Sequence, residues 1–197
     1  MKLSSDITTL IALFAIVSPI TSLPVFLSLT AGLTKSHRRS MALKTAAVSG
    51  LTLVIAYFLG DIILKSLSIE LDAFRIAGSL VIGAYGWQMV MGHETVKPGI
   101  SASGAAIVPL AIPLMAGPGA IATVIALGNS DVGFVRVANL AIILVLTILT
   151  YLLLLGAEPL ERLLGEQGLM VVTRIFGLLL LAIAVSTILS ALQNQLA

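Results

Sequence analysis

Six stretches of this chain carry no charged residue at all: 7–34, 45–60, 76–92, 98–130, 137–157 and 175–197. A hydrocarbon core of about 30 Å demands ~20 apolar residues in helical form. The second stretch meets that length once it continues past Asp61 to residue 64. The 197 residues include only 11 Lys+Arg and 9 Asp+Glu, 10% of the chain, against about 25% in soluble domains. Mean hydropathy is +1.13. Twenty charges cannot cover a water-exposed surface of this size, so the pattern predicts an all-α, polytopic membrane protein of six transmembrane helices. Lys2 is followed by Asp6 and then a full apolar span, which predicts a retained first helix rather than a cleaved leader.

Several classes fall away. A net charge of +2 is too small for a nucleic-acid-binding module, and the polarity is too low for a disordered chain. With no cysteine, thiolate chemistry and disulfide scaffolds are excluded. His37 and His93 stand apart from any carboxylate set of metal-ligand spacing, so no metal and no cofactor is expected. No nucleophile and base converge within the spans, so the chain is not expected to be an enzyme.

Basic residues mark cytoplasmic loops. Placing Lys35, Arg38, Arg39 and Lys44 inside also puts Lys97, Arg162 and Arg174 there, leaving Lys2, Lys65, Arg75 and Arg136 outside. Both termini are then non-cytoplasmic, in a multi-pass protein of the cell (inner or plasma) membrane. The basic cluster reads as a topology signal, with a lipid-headgroup or regulatory site as the alternative.

Three spans per half make the second half enter the membrane in the opposite sense, so the expected architecture is a 3+3 inverted repeat in a single transmembrane domain, 1–98 and 99–197. A shift of 99 residues lays Pro19 on Pro118 and Arg75-Ile76-Ala77-Gly78 on Arg174-Ile175-Phe176-Gly177. The first and fourth stretches are too long for one helix each. They are also crowded with helix breakers: Pro19 and Pro24 in one; Pro109, Pro113 and Pro118, with Gly117 and Gly119, in the other. A proline inside a helix costs about 3 kcal/mol. Both helices are therefore expected to be broken. Unwound backbone in a bilayer must face protein or a wet cavity. Half-helix amide ends attract a carboxylate and carbonyl ends an ammonium, so two mirrored breaks suit a zwitterion. The expected substrate-binding residues are Ser18, Pro19, Thr21, Gly117, Pro118, Gly119 and Ala120.

The strings Ser18-Pro19-Ile20-Thr21-Ser22-Leu23-Pro24-Val25-Phe26, Phe74-Arg75-Ile76-Ala77-Gly78, Val108 to Ile121 (VPLAIPLMAGPGAI) and Thr173-Arg174-Ile175-Phe176-Gly177-Leu178 resemble the signatures of the MarC family, in particular its SnatA branch of small neutral amino acid transporters. The resemblance implies six helices, a relation to LysE-type exporters, and movement of glycine, alanine or similar substrates driven by a proton or cation gradient. The family usually shows Asn-Pro-Ile-Gly where this chain has Ser18-Pro19-Ile20-Thr21. The competing class is a non-transporting integral membrane protein, a scaffold or an intramembrane enzyme.

The remaining polar residues have plainer expectations. Arg75 and Arg174 open the third and sixth spans as anchors or partners of Asp72, with a gating role as the alternative. Asp61 reads as a solvated group at a span's end. Ser49, Thr52, Thr147 and Thr150 are expected to bond carbonyls one turn back. Gly83 and Gly86 should allow close helix packing, Tyr85 and Trp87 are packing or interfacial aromatics, and Glu158, Glu161 and Glu166 belong to a polar loop. Expected partners are the substrate, membrane lipid and the coupling ion; self-association into a homo-oligomer is left open.

Overall fold

The computed structural model describes residues 2–30, 32–92, 106–130 and 133–196. Among them there are helices and connections and no strand. In chain order the elements are α1 (Lys2–Val17), α2 (Pro19–Thr30), α3 (Lys35–Ser66), α4 (Leu71–Met91), α5 (Ala106–Met115), α6 (Pro118–Ser130), α7 (Phe134–Leu155) and α8 (Glu158–Leu196). Four segments are long and apolar enough to cross a membrane: Ile7–Leu27, Lys35–Ser66, Val135–Leu155 and Met170–Gln195. The 21-residue α4 bears Asp72 and Arg75 in its first turns, and the apolar Pro118–Asn129 stretch is shorter.

The element ends follow from local chemistry. Thr34 caps α3, its hydroxyl accepting from His37 N–H at 3.4 Å. Gly92 ends α4 in the left-handed conformation, φ 73°, its N–H turned back to Gln88 and Met89 carbonyls, as a helix C-terminus favours. The α5 segment is an irregular, wide-turned helix, with extended backbone at Val108 (φ −125°, ψ 121°) and Ile112 (φ −132°, ψ 124°), the residues that precede Pro109 and Pro113. A proline disfavours helical geometry in the residue before it. At Gly165, φ 60° and ψ −177° interrupt α8. Glu158 and Glu161 thus lie in a short helical stretch ahead of the Gly165 interruption and Glu166 directly after it, not in the expected loop; Pro159 stands where a helix tolerates proline, in its first turn.

The bundle is apolar on its outside as well as at its centre. Ile11, Leu51, Leu80, Leu144 and Leu178 are all more than half exposed, whereas Ser22, Thr30, Arg38, Thr45, Ser49, Ser79, Asn139 and Thr150 are buried. Lipid explains this arrangement, since apolar side chains gain nothing by leaving it and polar groups lose by entering it.

Small residues set the helix contacts. The α4 helix runs antiparallel to residues 174–195 of α8: Glu70 accepts from Gln195 Nε2 at 2.8 Å at one end, and at the other Arg174 Nη2 lies beside Gly92. Between these points Gly86 meets the backbone of Gly177, and Gly83 faces Ala184. The α3 helix is approached by α7 at Gly50 against Thr147 and by α6 at Gly60 against Ile125. Thr52 and Thr147 donate to Val48 and Ile143 carbonyls at 2.8 Å, the back-bonding expected of mid-helix threonines.

Candidate functional site

Both helix breaks expected from proline are present. In the first, α1 ends at Val17 and α2 begins at Pro19; Ser18 between them has φ +42°. Ser18 N–H still closes the last turn of α1 on Phe14 O at 2.9 Å. Pro19 carries no N–H, so the Ala15 carbonyl lacks the donor that would continue the helix. Thr21 folds the start of α2 back on the break: its N–H and its hydroxyl both donate to Ser18 O, at 3.0 and 2.7 Å. The second break follows α5. Ala116 N–H bonds Ala111 O at 2.8 Å, Gly117 belongs to neither helix, and α6 begins at Pro118, with Ile121 N–H on Gly117 O at 2.9 Å. Proline is therefore the first residue of the new half-helix in both places, the position where its missing N–H costs nothing. The N–H groups of Ile20, Gly119 and Ala120 lie in first turns and have no carbonyl of their own helix to bond.

The fold brings the two breaks together. A carbon built on Gly119 would lie 3.5 Å from Ile16 Cγ2, two residues before the first break. Gly78 of α4 packs on the Pro118 ring, and Ile82 Cδ1 lies 3.3 Å from the carbon that a side chain at Gly117 would add. The carbonyl end of α1 thus adjoins the amide end of α6. A helix end carries about half an elementary charge, so opposite partial charges stand side by side inside the bundle. Pro19, Gly117, Pro118 and Ala120 are buried, and Ser18, Thr21 and Gly119 half-buried.

A described cavity lies elsewhere. About 590 Å³ in volume, it is lined by Asp61, Lys65, Glu70 and Asn129 over an apolar floor that includes Leu64 and Ile125. Asn129 lies ~16 Å along α6 from Pro118 at 1.5 Å per residue, so this cavity is not the break junction. Asp61 is more engaged than a freely solvated carboxylate, being paired with Lys65 at 2.8 Å.

The two arginines stand at opposite ends of α4. Arg75 Nη1 is held by Asp72 Oδ1 at 2.8 Å, the structural pairing anticipated from sequence, and Arg174 is exposed beside Gly92. The separation is ~25 Å along the helix. His93, Lys97 and the expected boundary between halves at 98/99 lie outside the described residues.

Two polar residues on and beside α2 have surroundings that the sequence did not indicate. Arg38, only 9% exposed, donates from Nη2 to Thr30 O at 3.1 Å, a cation on the carbonyl end of α2 where the helix dipole favours it. Its place in a basic loop hides this role. Ser22 is the other, buried with its hydroxyl unpaired.

The left-handed backbone at Ser18 yields a direct test. That region costs an ordinary L-residue about 1–2 kcal/mol and costs asparagine less. Ser18→Asn, which restores the asparagine that the MarC pattern places before this proline, should raise stability by about 1 kcal/mol; Ser18→Val should lower it. Thermal melting of the purified variants in detergent checks the order Asn > Ser > Val.

Known proteins match this chain over nearly its full length. The profile of the MarC family integral membrane proteins matches residues 3–196. The UPF0056 membrane protein MJ1677 of Methanocaldococcus jannaschii is 37% identical, the alignment covering 100% of each chain. The UPF0056 membrane protein YvbG of Bacillus subtilis is 32% identical over 99% of this chain and 97% of its own. YhcE of Escherichia coli is 34% identical over 93% and 90%. No solved structure matches significantly. An apolar exterior, two proline-opened half-helices meeting inside the bundle, and a family match from end to end lead to one conclusion: this chain belongs to the MarC family of integral membrane proteins.

Proposed function

We propose that the protein is a secondary transporter of small neutral amino acids, of the glycine and alanine class, coupled to a proton or cation gradient. The observation that carries this reading is the junction of helix ends: α1 offers carbonyls where α2 and α6 offer amides, Ile16 lying against Gly119. Unsatisfied main-chain groups away from water cost several kcal/mol each. A zwitterion compensates both sets at once, its ammonium at the carbonyl end and its carboxylate at the amide ends. Ile16 and Ile82 border the junction, which suits a substrate whose side chain is a hydrogen or a methyl.

In this reading the six spans are α1/α2, α3, α4, α5/α6, α7 and α8, arranged as a 3+3 inverted repeat. The equivalent placement of Pro19 and Pro118 supports it, 99 residues apart and each first in its half-helix. So does the α4–α8 seam: at the same offset Ala84 corresponds to Ile183, and the contacts extend to either side of that level, as a two-fold axis in the membrane plane requires. Arg75 and Arg174, at opposite ends of α4, are then the symmetry-related positions from which the two sides close. The packed junction corresponds to an occluded state, and access alternates as the half-helices shift against the α4–α8 pair.

The test is uptake of labelled glycine or alanine by proteoliposomes containing the purified chain, with and without an imposed pH or sodium gradient. Gradient-dependent accumulation is expected. Correctly inserted protein that binds and moves neither amino acid would overturn the proposal in favour of a non-transporting membrane protein.

A further inference from the structure

We infer that the Ser22 hydroxyl is a substrate-binding group, donating a hydrogen bond to the carboxylate of the amino acid held at the break. This deepens the transport reading above and rests on it. Ser22 is 1% exposed, and its Oγ has no hydrogen-bond partner among the described residues. Buried hydroxyls are nearly always paired, so one that is not demands a reason.

The reason is local. A serine inside a helix ordinarily donates to the carbonyl four residues back. For Ser22 that acceptor is Ser18 O, and Thr21 already occupies it twice, through its N–H at 3.0 Å and its hydroxyl at 2.7 Å. The carbonyl three back belongs to Pro19, on the first turn. Ser22 is the fourth residue of α2. Side chains lean toward the N-terminus of their helix, so the Cα–Cβ bond of Ser22 carries its hydroxyl back over that turn, toward the Ser18–Pro19 break. The same end presents the unbonded N–H of Ile20 and the positive end of the α2 dipole. A donor without an acceptor, at an amide end, calls for an anion; in a zwitterion that is the carboxylate. The 12-residue α2 is long enough for its dipole to count.

This assignment separates from a packing role because the two predict opposite signs. Removing an unpaired buried hydroxyl relieves the fold, so Ser22→Ala should raise the melting temperature of the ligand-free protein while weakening alanine binding by more than about tenfold, the range for a hydrogen bond to a charged group. Ser22→Cys, a weak donor of similar size, should fall between. For alaninamide, whose acceptor is neutral, the loss in Ser22→Ala should shrink to about threefold. Binding is read by calorimetry and by the ligand-induced rise in melting temperature on the full chain. If wild type binds alanine and Ser22→Ala binds it equally well, the inference fails and the transport reading stands. A lower melting temperature for Ser22→Ala, or an equal loss for alaninamide, also overturns it. If wild type itself binds neither glycine nor alanine, the transport reading has failed first.

Discussion

Replacing Gly119 by leucine should reduce glycine or alanine binding at least about 100-fold, equivalent to roughly 3 kcal/mol, while the protein remains folded. The second residue of α6 supplies one of the unbonded amides and lies against Ile16 of α1. A leucine there fills the gap between the carbonyl end of one half-helix and the amide end of the other, where the substrate must sit. The fold has reason to tolerate it. Gly119 is half-buried, its backbone is not left-handed, and an added carbon makes only ordinary contact at 3.5 Å. Losing a glycine from a helix even gains up to about 1 kcal/mol in propensity. Gly119→Ala should therefore melt within a few degrees of wild type and show an intermediate affinity. Calorimetric titration with size-exclusion and melting controls checks both; wild-type affinity in the leucine variant would place the site elsewhere.

A large loss of stability is expected from Gly86→Val. A carbon at Gly86 would stand 2.7 Å from Gly177 O and 3.0 Å from Leu181 N. Both are main-chain atoms of α8, which no rotamer change can move aside, so the helices must separate along their seam. In lipid there is no hydrophobic gain to hold them once the packing is lost, because apolar surface is equally at ease against acyl chains. Overpacking usually costs about 1–3 kcal/mol and occasionally more; the backbone contact puts this substitution at the upper end, roughly 3 kcal/mol. Gly83→Ala on the same helix is the control: its carbon would meet Ala184 Cβ at 3.5 Å, and a change below about 0.5 kcal/mol is expected. Thermal or denaturant unfolding in detergent measures the contrast, and similar losses in the two variants would contradict the seam.

Some of the candidate site was legible without coordinates. A proline withdraws a donor wherever it stands, so Pro19 and Pro118 announced interruptions, and both occupy the first position of a new helix. Back-bonding at Thr52 and Thr147 and the Arg75–Asp72 pair follow from helical spacing alone. Other features carried no such signal. Arg38 looked like one more basic loop residue until Thr30 O appeared beside it. Ser22 carried no reading of its own, because only the fold shows that Thr21 holds the Ser18 carbonyl twice.

What the residues determined by themselves is the solvent and the local backbone: a chain with so few charges belongs in lipid, and a ring that locks φ breaks a helix wherever it is placed. Which ends meet was decided only by the tertiary structure. The apposition of Ile16 with Gly119, of Gly78 with Pro118 and of Gly86 with Gly177 depends on the fit of whole helix faces. Along a bilayer helix, Leu, Ile and Val faces are nearly interchangeable to the surrounding acyl chains. Selection among pairings therefore falls to close backbone approach and to buried polar partners, properties of two segments together that neither carries alone.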